Sequence, residues 1–387
     1  MALVTIGRDS ISGPLFASNG LGLQVPDTFG SARGMGGAGI ADVGGRSFMR
    51  GNPALYSAIE KHTYTFGATF ERNDADTGVI AVPSYSKTRA DIFSLVIPLW
   101  KGVVMGWSLT PLTRTDSTIE YQSSDYKDTV TFTGGVNMSS LALAGTIREV
   151  IRVGVSFDYS FGMIEERWVR KFYSTSDDYE LYNSYDYIKR KYKGYGTTFG
   201  IIAKVYKDTH VGIGYSSEMT MDKTVRVIPG YYANPEKTYD TGESMLPETW
   251  RFGVSSMFWS RLVANLDVTL AGWKNAAKND IEKEMYDDTV TVCGGFRLEP
   301  QRAVGLSLIE KYPLSIGFKV GNLYYKSYPK IDTISEKAVT FGIELPFKED
   351  LARMETSFEF GLRGDKEKNG WEENYTSIGF VLIGTIK

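Results

Sequence analysis

Cysteine and histidine are nearly missing from this sequence of 387 residues, which holds one Cys and two His. A lone thiol excludes a disulfide within the chain, and so few ligands cannot build the common zinc sites. Long apolar runs are missing too. No stretch reaches the ~18 residues that a membrane-spanning helix needs. No excess of one charge exists either: the net charge is −3, which argues against a nucleic-acid partner. What is abundant is glycine, 41 residues against a usual ~7%, and aromatic side chains at 13%, including 24 Tyr. This is the composition of an all-β chain.

The periodicity supports that class. From about residue 62 onward, segments of about ten residues alternate apolar with polar or small side chains, as half-buried strands do. Tyr64, Phe66, Ala68 and Phe70 share one face, opposite Thr65, Gly67, Thr69 and Glu71. Val153, Val155, Phe157, Tyr159 and Phe161 oppose Arg152, Gly154, Ser156, Asp158 and Ser160. Fourteen such segments are expected, near 62–72, 88–100, 102–114, 130–147, 150–170, 192–206, 209–225, 246–259, 261–275, 287–298, 312–326, 335–347, 351–364 and 372–387. Short turns (Lys101-Gly102, Arg148-Glu149, Lys207-Asp208, Ser260-Arg261, Lys348-Glu349-Asp350) alternate with long polar connections, such as 171–191 and 226–245. An even strand count with short turns at one end and long loops at the other is the layout of a bacterial outer-membrane barrel.

The charges follow one parity. Arg152, Asp158, Lys204, Glu218, Arg251, Asp267, Arg297, Lys319, Glu344, Glu355 and Glu359 all align with the Gly, Ser and Thr residues. A soluble sandwich would show the same parity, so other features separate the two. The apolar face continues through every strand, whereas central and edge strands of soluble sheets usually differ. Aromatic residues (Tyr64, Trp100, Tyr206, Trp259, Tyr312, Phe347) crowd the strand ends beside the short turns, as an interfacial girdle does. Lys or Arg facing lipid at the midplane would cost ~2–4 kcal/mol. The expected fold is therefore a 14-stranded antiparallel transmembrane β-barrel over 62–387.

Residues 1–61 do not alternate and read as a plug, or hatch, inside the lumen. The opening Met1-Ala-Leu-Val-Thr-Ile lacks the basic start and apolar core of a signal peptide, so a mature or trimmed chain is expected. Gly34-Met35-Gly36-Gly37-Ala38-Gly39 matches the dinucleotide fingerprint, but no βαβ unit surrounds it. Glycine for close backbone packing explains it better, and no cofactor or metal is expected. Neither His62 nor His210 is placed for catalysis; both begin strands at the short-turn end, so the chain is not expected to be an enzyme. Cys293 reads as a small lumen-facing filler.

Ser18-Asn19-Gly20-Leu21-Gly22, then Ala32-Arg33-Gly34-Met35-Gly36-Gly37-Ala38, then Asn52-Pro53-Ala54 ahead of the first strand form a pattern. It resembles the N-terminal hatch of the long-chain fatty acid outer-membrane transporter (FadL-like) family, which includes aromatic-hydrocarbon transporters. The likeness in residues is concentrated over about 18–56; the layout agrees throughout. Gly36, Gly37, Asn52, Pro53 and Ala54 carry the plug motif. The chain departs from the usual pattern of outer-membrane barrels in ending Thr385-Ile386-Lys387, without a terminal aromatic.

The resemblance implies passive uptake of hydrophobic small molecules, long-chain fatty acids or similar, in a monomeric barrel of a Gram-negative outer membrane. Ligand would meet a groove of the third and fourth outer loops, where Phe172, Tyr173, Leu181, Tyr182 and Ile188 face Val227, Ile228, Tyr231 and Tyr232. Mutual packing of the two loops would explain the same side chains. Ligand would then leave sideways through the wall, for which Pro98 and Pro111, inside strands two and three, are candidates. A strand end near the interface is the plainer account of Pro111. Partners would be such a ligand and outer-membrane lipid, with no nucleic acid. A related branch, PorV-like, implies the alternative: a structural or shuttle subunit of a secretion or surface-attachment complex, binding proteins at the long loops.

Overall fold

The alternation of side chains over 62–387 produces one continuous antiparallel sheet. The computed structural model describes residues 10–12, 14–18, 20–44, 49–76, 84–173, 184–230, 237–301, 311–327, 331–347 and 351–386. The wall strands are β1 (His62–Asp76), β2 (Tyr85–Trp100), β3 (Val103–Pro111 with Ser117–Gln122), β4 (Tyr126–Ile147) and β5 (Ile151–Phe172). Next come β6 (Ser184–Tyr206), β7 (Thr209–Ser216 with Met219–Ile228), β8 (Lys237–Leu246 with Thr249–Phe258) and β9 (Leu262–Ala271). The last are β10 (Thr289–Leu298), β11 (Leu314–Asn322), β12 (Ser335–Phe347), β13 (Ala352–Asp365) and β14 (Trp371–Ile386). Each strand pairs with its neighbours in sequence, and β14 pairs with β1 from Glu372↔Asp76 to Ile386↔His62. The sheet therefore closes as a fourteen-stranded barrel, so the first and last strands present no free edge to lipid.

The apolar face points outward. Phe66, Leu141, Phe157, Phe199 and Phe296 are each at least half exposed, while Asp158, Asp267, Arg297 and Glu355 on the opposite parity are buried. In water such an oily belt would drive association; in hydrocarbon it is the expected surface. Trp100, Tyr206 and Trp259 stand even further out at the short-turn end. Those turns are tight. Arg148 and Glu149 both have positive φ (51° and 57°), as do Trp259 and Ser260, the left-handed pair that a two-residue hairpin turn requires. The expected turn at 348–350 lies outside the described residues.

Three expectations need correcting. The outer ends of the wall are longer than the alternation suggested: β6 begins at Ser184 and β7 runs to Ile228, and the first piece of β8 starts at Lys237. Ile188, Val227 and Ile228 are therefore strand residues, paired across a ladder (Ile188↔Val227, Tyr187↔Ile228), and not loop residues. Polar strands rising above the membrane need no apolar face, so their alternation is invisible to a pattern search. The region 115–129, expected as a loop, contains Ser117–Gln122 paired with β4. And β3 is broken where a continuous strand was expected.

The described residues between 14 and 58 pack against inward-facing side chains around the circumference. Short turns of helix lie at Leu15–Ser18, Ser31–Gly34 and Pro53–Ala58, and Leu23–Gln24 pairs with Thr113–Arg114. Arg33 reaches Asp91 on β2 at 3.1 Å and Ser377 on β14 at 3.1 Å. Gly39 and Ile40 donate to Asp267 on β9 at 2.6 and 2.9 Å, and Asp42 pairs with Arg297 on β10 at 2.6 Å.

Candidate functional site: a lumen cavity beside a break in the wall

The glycines of the N-terminal segment set its approach to the wall. Gly36 has φ 75° and donates to Thr340 Oγ1 at 2.8 Å; a Cβ there would lie 2.0 Å from the Phe318 carbonyl oxygen. Gly37, φ 95°, donates to the Ala32 carbonyl at 2.9 Å. Asn52 is fully buried: its Oδ1 accepts from Ala54 N at 3.1 Å, capping the Pro53–Ala58 turn, and its Nδ2 donates to the Ile40 carbonyl at 2.7 Å. Pro53 occupies the first helical position, where its missing N–H is harmless. Ala54 is buried beneath Gly154 of β5.

Above this segment lies a cavity of about 230 Å³. Its floor includes Asp27, Thr28, Gly36, Gly37, Met49 and Arg50. One side is apolar, with Met138, Met219, Leu246 and Trp273, and Trp273 stacks on Tyr324 at 4.0 Å between ring centroids. The other side is an ion network. Cations Arg33, Arg89, Arg114, Lys319 and Arg363 face anions Glu71, Asp91, Glu336, Glu359 and Glu373. Arg89 meets Glu71 at 3.2 Å and Asp91 at 2.8 Å, and Arg114 also pairs with Glu71. Arg363 meets Glu336 at 2.8 Å and Glu373 at 3.2 Å; Lys319 bridges Glu336 and Glu359, each at 3.1 Å. The Tyr375 hydroxyl donates to Glu359 at 2.9 Å, and Arg363 lies 3.8 Å above its ring. Ions removed from water are tolerable only with such complete pairing.

The wall opens its ladder beside the cavity. The β2–β3 pairing ends at Phe93↔Leu109, two residues before Pro111. After Pro111 the chain bends inward, and Leu112, Thr113 and Arg114 line the cavity. This bend is held on β4: Leu112 N donates to Val136 O at 2.8 Å and Thr115 N to Gly134 O at 2.9 Å. Gly134 and Gly135 have φ of 108° and 151°, and a Cβ on Gly135 would lie 2.2 Å from Thr113 O. Among the described residues no ladder joins β2 above Phe93 to Ser117–Gln122. The edge of Ser117–Gln122 that would face β2 pairs instead with Ser10–Ser12. Lys87 of β2 and Asp116 bridge the seam as an ion pair.

Of the residues singled out in sequence, Pro111 stands at this break. Pro98 does not: it pairs with Val104 beside a short turn, at the other end of the wall. Ile188, Val227 and Ile228 come together half-buried on neighbouring strands, away from the cavity. Phe172 packs edge-on against Tyr126 at 6.3 Å, and Tyr173 is exposed. Leu181, Tyr182, Tyr231 and Tyr232 lie outside the described residues. Reading by sequence offered Pro111 beside the break but missed the inward bend of 112–114 and most of the ion network; Gly134-Gly135 inside a strand segment was a further signal for the bend.

A closed, fourteen-stranded wall with an oily exterior, charged interior and short turns at one end defines a β-barrel of the bacterial outer membrane. The chain belongs to the BamG family, which it matches over residues 3–383. No curated protein matches it. Solved structures of the same fold include the Pseudomonas putida toluene transporter TodX, at TM-score 0.59 and 13% identity, covering 94% of this chain and 99% of that one. A Pseudomonas aeruginosa FadL homologue matches at TM-score 0.61 and 11% identity, with 94% and 99% covered. The Ralstonia pickettii toluene transporter TbuX matches at TM-score 0.54 and 15% identity, again covering 94% and 99%. These neighbours are transporters, not enzymes.

Proposed function

We propose that this barrel takes up small hydrophobic molecules passively, holding them in the lumen cavity and releasing them sideways at the break in β3. The observation that carries this reading is that Leu112, Thr113 and Arg114 form the break and line the cavity at once. Residues 1–61 act as a plug that closes the cavity below, so a hydrophobic molecule leaves through the wall and not through the floor. Burial of apolar surface, worth ~25 cal/mol per Å², supplies the driving force. Two of the neighbours, TodX and TbuX, are toluene transporters, which suggests the size of cargo. A cavity of about 230 Å³ suits a single-ring molecule, since a void of ~150 Å³ already holds benzene. A long fatty-acid chain would extend beyond it.

The test is flux of toluene into lipid vesicles carrying the full chain. Met219→Trp, which fills the cavity, is expected to lower the protein-dependent rate at least tenfold. A reductant-cleavable bis-maleimide linking Lys87→Cys to Asp116→Cys, which staples the seam that the native ion pair spans, should do the same and be reversed by reductant. Flux that is absent from the unaltered protein, or indifferent to both changes, overturns the reading.

A second reading, a structural subunit that binds other proteins at its long outer connections, is favoured by one observation. The N-terminal segment is hydrogen-bonded around the whole circumference and the ion network occupies one wall, which leaves little free lumen. Stoichiometric protein partners in mild detergent, together with no toluene flux, would establish it over the first.

A further inference from the structure

The outer face of the barrel is not uniformly convex. Across β3 to β7, near the short turns, a depression of about 620 Å³ is lined by outward side chains including Leu143, Val153, Val155, Phe199 and Ile201. Its cause lies on the inner face of the same strands. On β5, β6 and β7 the inward positions there are glycines in direct contact with the N-terminal segment. A Cβ on Gly154 would lie 2.5 Å from Ala54 N, one on Gly200 1.9 Å from Asn52 Oδ1, and one on Gly214 2.1 Å from Gly51 O. With no side chain to hold it off, the wall sits directly on Gly51–Ala54, and the outer surface is hollow behind them.

The hollow has a depth and a rim. Phe199 is about eight residues from the Lys207 turn, or ~20 Å once the strands tilt by ~40°, which is close to the ~15 Å of one leaflet. Lys101, Arg148 and Lys207 stand exposed on the three short turns beneath it, with Glu149 and Asp208 beside the last two. Tyr206 flanks them, with the Lys207 ammonium 5.4 Å from its ring.

We propose that this hollow is a binding site for a glycerophospholipid of the periplasmic leaflet, with acyl chain in the hollow and phosphodiester on the cations of the short turns. A protein occupant fits less well. About a dozen residues line the hollow, whereas a stable interface uses ~20–30 a side. The oily lining with a cationic rim complements a molecule that is apolar along its length and negatively charged at one end. Glu149 and Asp208 favour a zwitterionic head, whose ammonium they can receive. The site is independent of the uptake reading.

The experiment is native mass spectrometry of the full chain in detergent, stripped of lipid and titrated with phosphatidylethanolamine or phosphatidylglycerol. The unaltered protein should retain one tightly held phospholipid, phosphatidylethanolamine in preference. Val153→Trp, which fills the hollow from the lipid side, should lower retention at least tenfold. Val339→Trp on another stretch of wall should leave it unchanged. Lys101→Gln, Arg148→Asn and Lys207→Gln together should lower it about fivefold. Unchanged migration of the folded form on gels keeps misfolding apart from loss of binding. Retention insensitive to Val153→Trp, equal loss in Val339→Trp, retention of detergent only, or a photo-crosslinker at Val153 that captures protein and not lipid would each overturn the site. Insensitivity to the turn substitutions alone would overturn the headgroup assignment.

Discussion

Asn52 shows how much a single amide can hold. Its two ends satisfy the Ala54 N–H and the Ile40 carbonyl, both inside the barrel. Asn52→Ala removes a cap worth ~1 kcal/mol and leaves a buried carbonyl unpaired at ~1–3 kcal/mol. A loss of about 2–3 kcal/mol in urea unfolding is expected; a change below about 0.5 would show that water replaces the amide. Gly200→Ala presses on the same side chain from the wall, and overpacking of that kind costs ~1–3 kcal/mol. In the ion network the expectation is asymmetric. Arg363→Met takes the cation away from buried Glu373, while Lys319 still holds Glu336, and should destabilise by ~3–5 kcal/mol. Adding Glu373→Gln should restore a large part of it, because the carboxylate that lost its cation is then neutral.

At the level of elements, the outer connection between β9 and β10 is latched by charge. Lys274 pairs with Asp287 at 2.8 Å, and the Thr333 hydroxyl donates to the same carboxylate. Burial pushes the Asp287 pKa up, but the Lys274 and Thr333 contacts outweigh it and hold the carboxyl below its ordinary value. A carboxyl lowered on folding stabilises above its unfolded value of ~3.9 and loses that contribution as pH falls through the folded one. The latch should therefore be intact at neutral pH and release only as the pH falls below the ordinary carboxylate range. Asp287→Asn should show the released state already at pH 6, read from tryptophan emission, since Trp273 stacks on Tyr324 within this region. An identical spectrum for both proteins across that range would refute the latch.

For the whole molecule the decisive contact is the closure of β14 onto β1. That ladder joins the last strand to the first and completes the hydrogen bonding of both. Deleting 372–387 exposes two edges to hydrocarbon, where each unsatisfied backbone group costs several kcal/mol. The truncated chain is expected to yield no folded band that shifts on heating; a stable thirteen-stranded barrel would contradict the argument.

Alternation with a period of two, the parity of Arg251, Asp267, Arg297, Lys319 and Glu359, and the rhythm of short and long connections determined the barrel class and its strand number from sequence alone. Those properties are local: each strand declares which face meets lipid, independently of its neighbours. The break in β3, the partners within the ion network and the cavity they enclose were decided only by tertiary structure. Glu71 on β1 pairs with Arg114, 43 positions on, and Arg33 reaches Ser377, 344 positions away. Such pairings depend on register and on closure of the wall, which bring distant strands together around a common interior. A pattern read along one strand contains the direction of each side chain, but not what lies across the lumen.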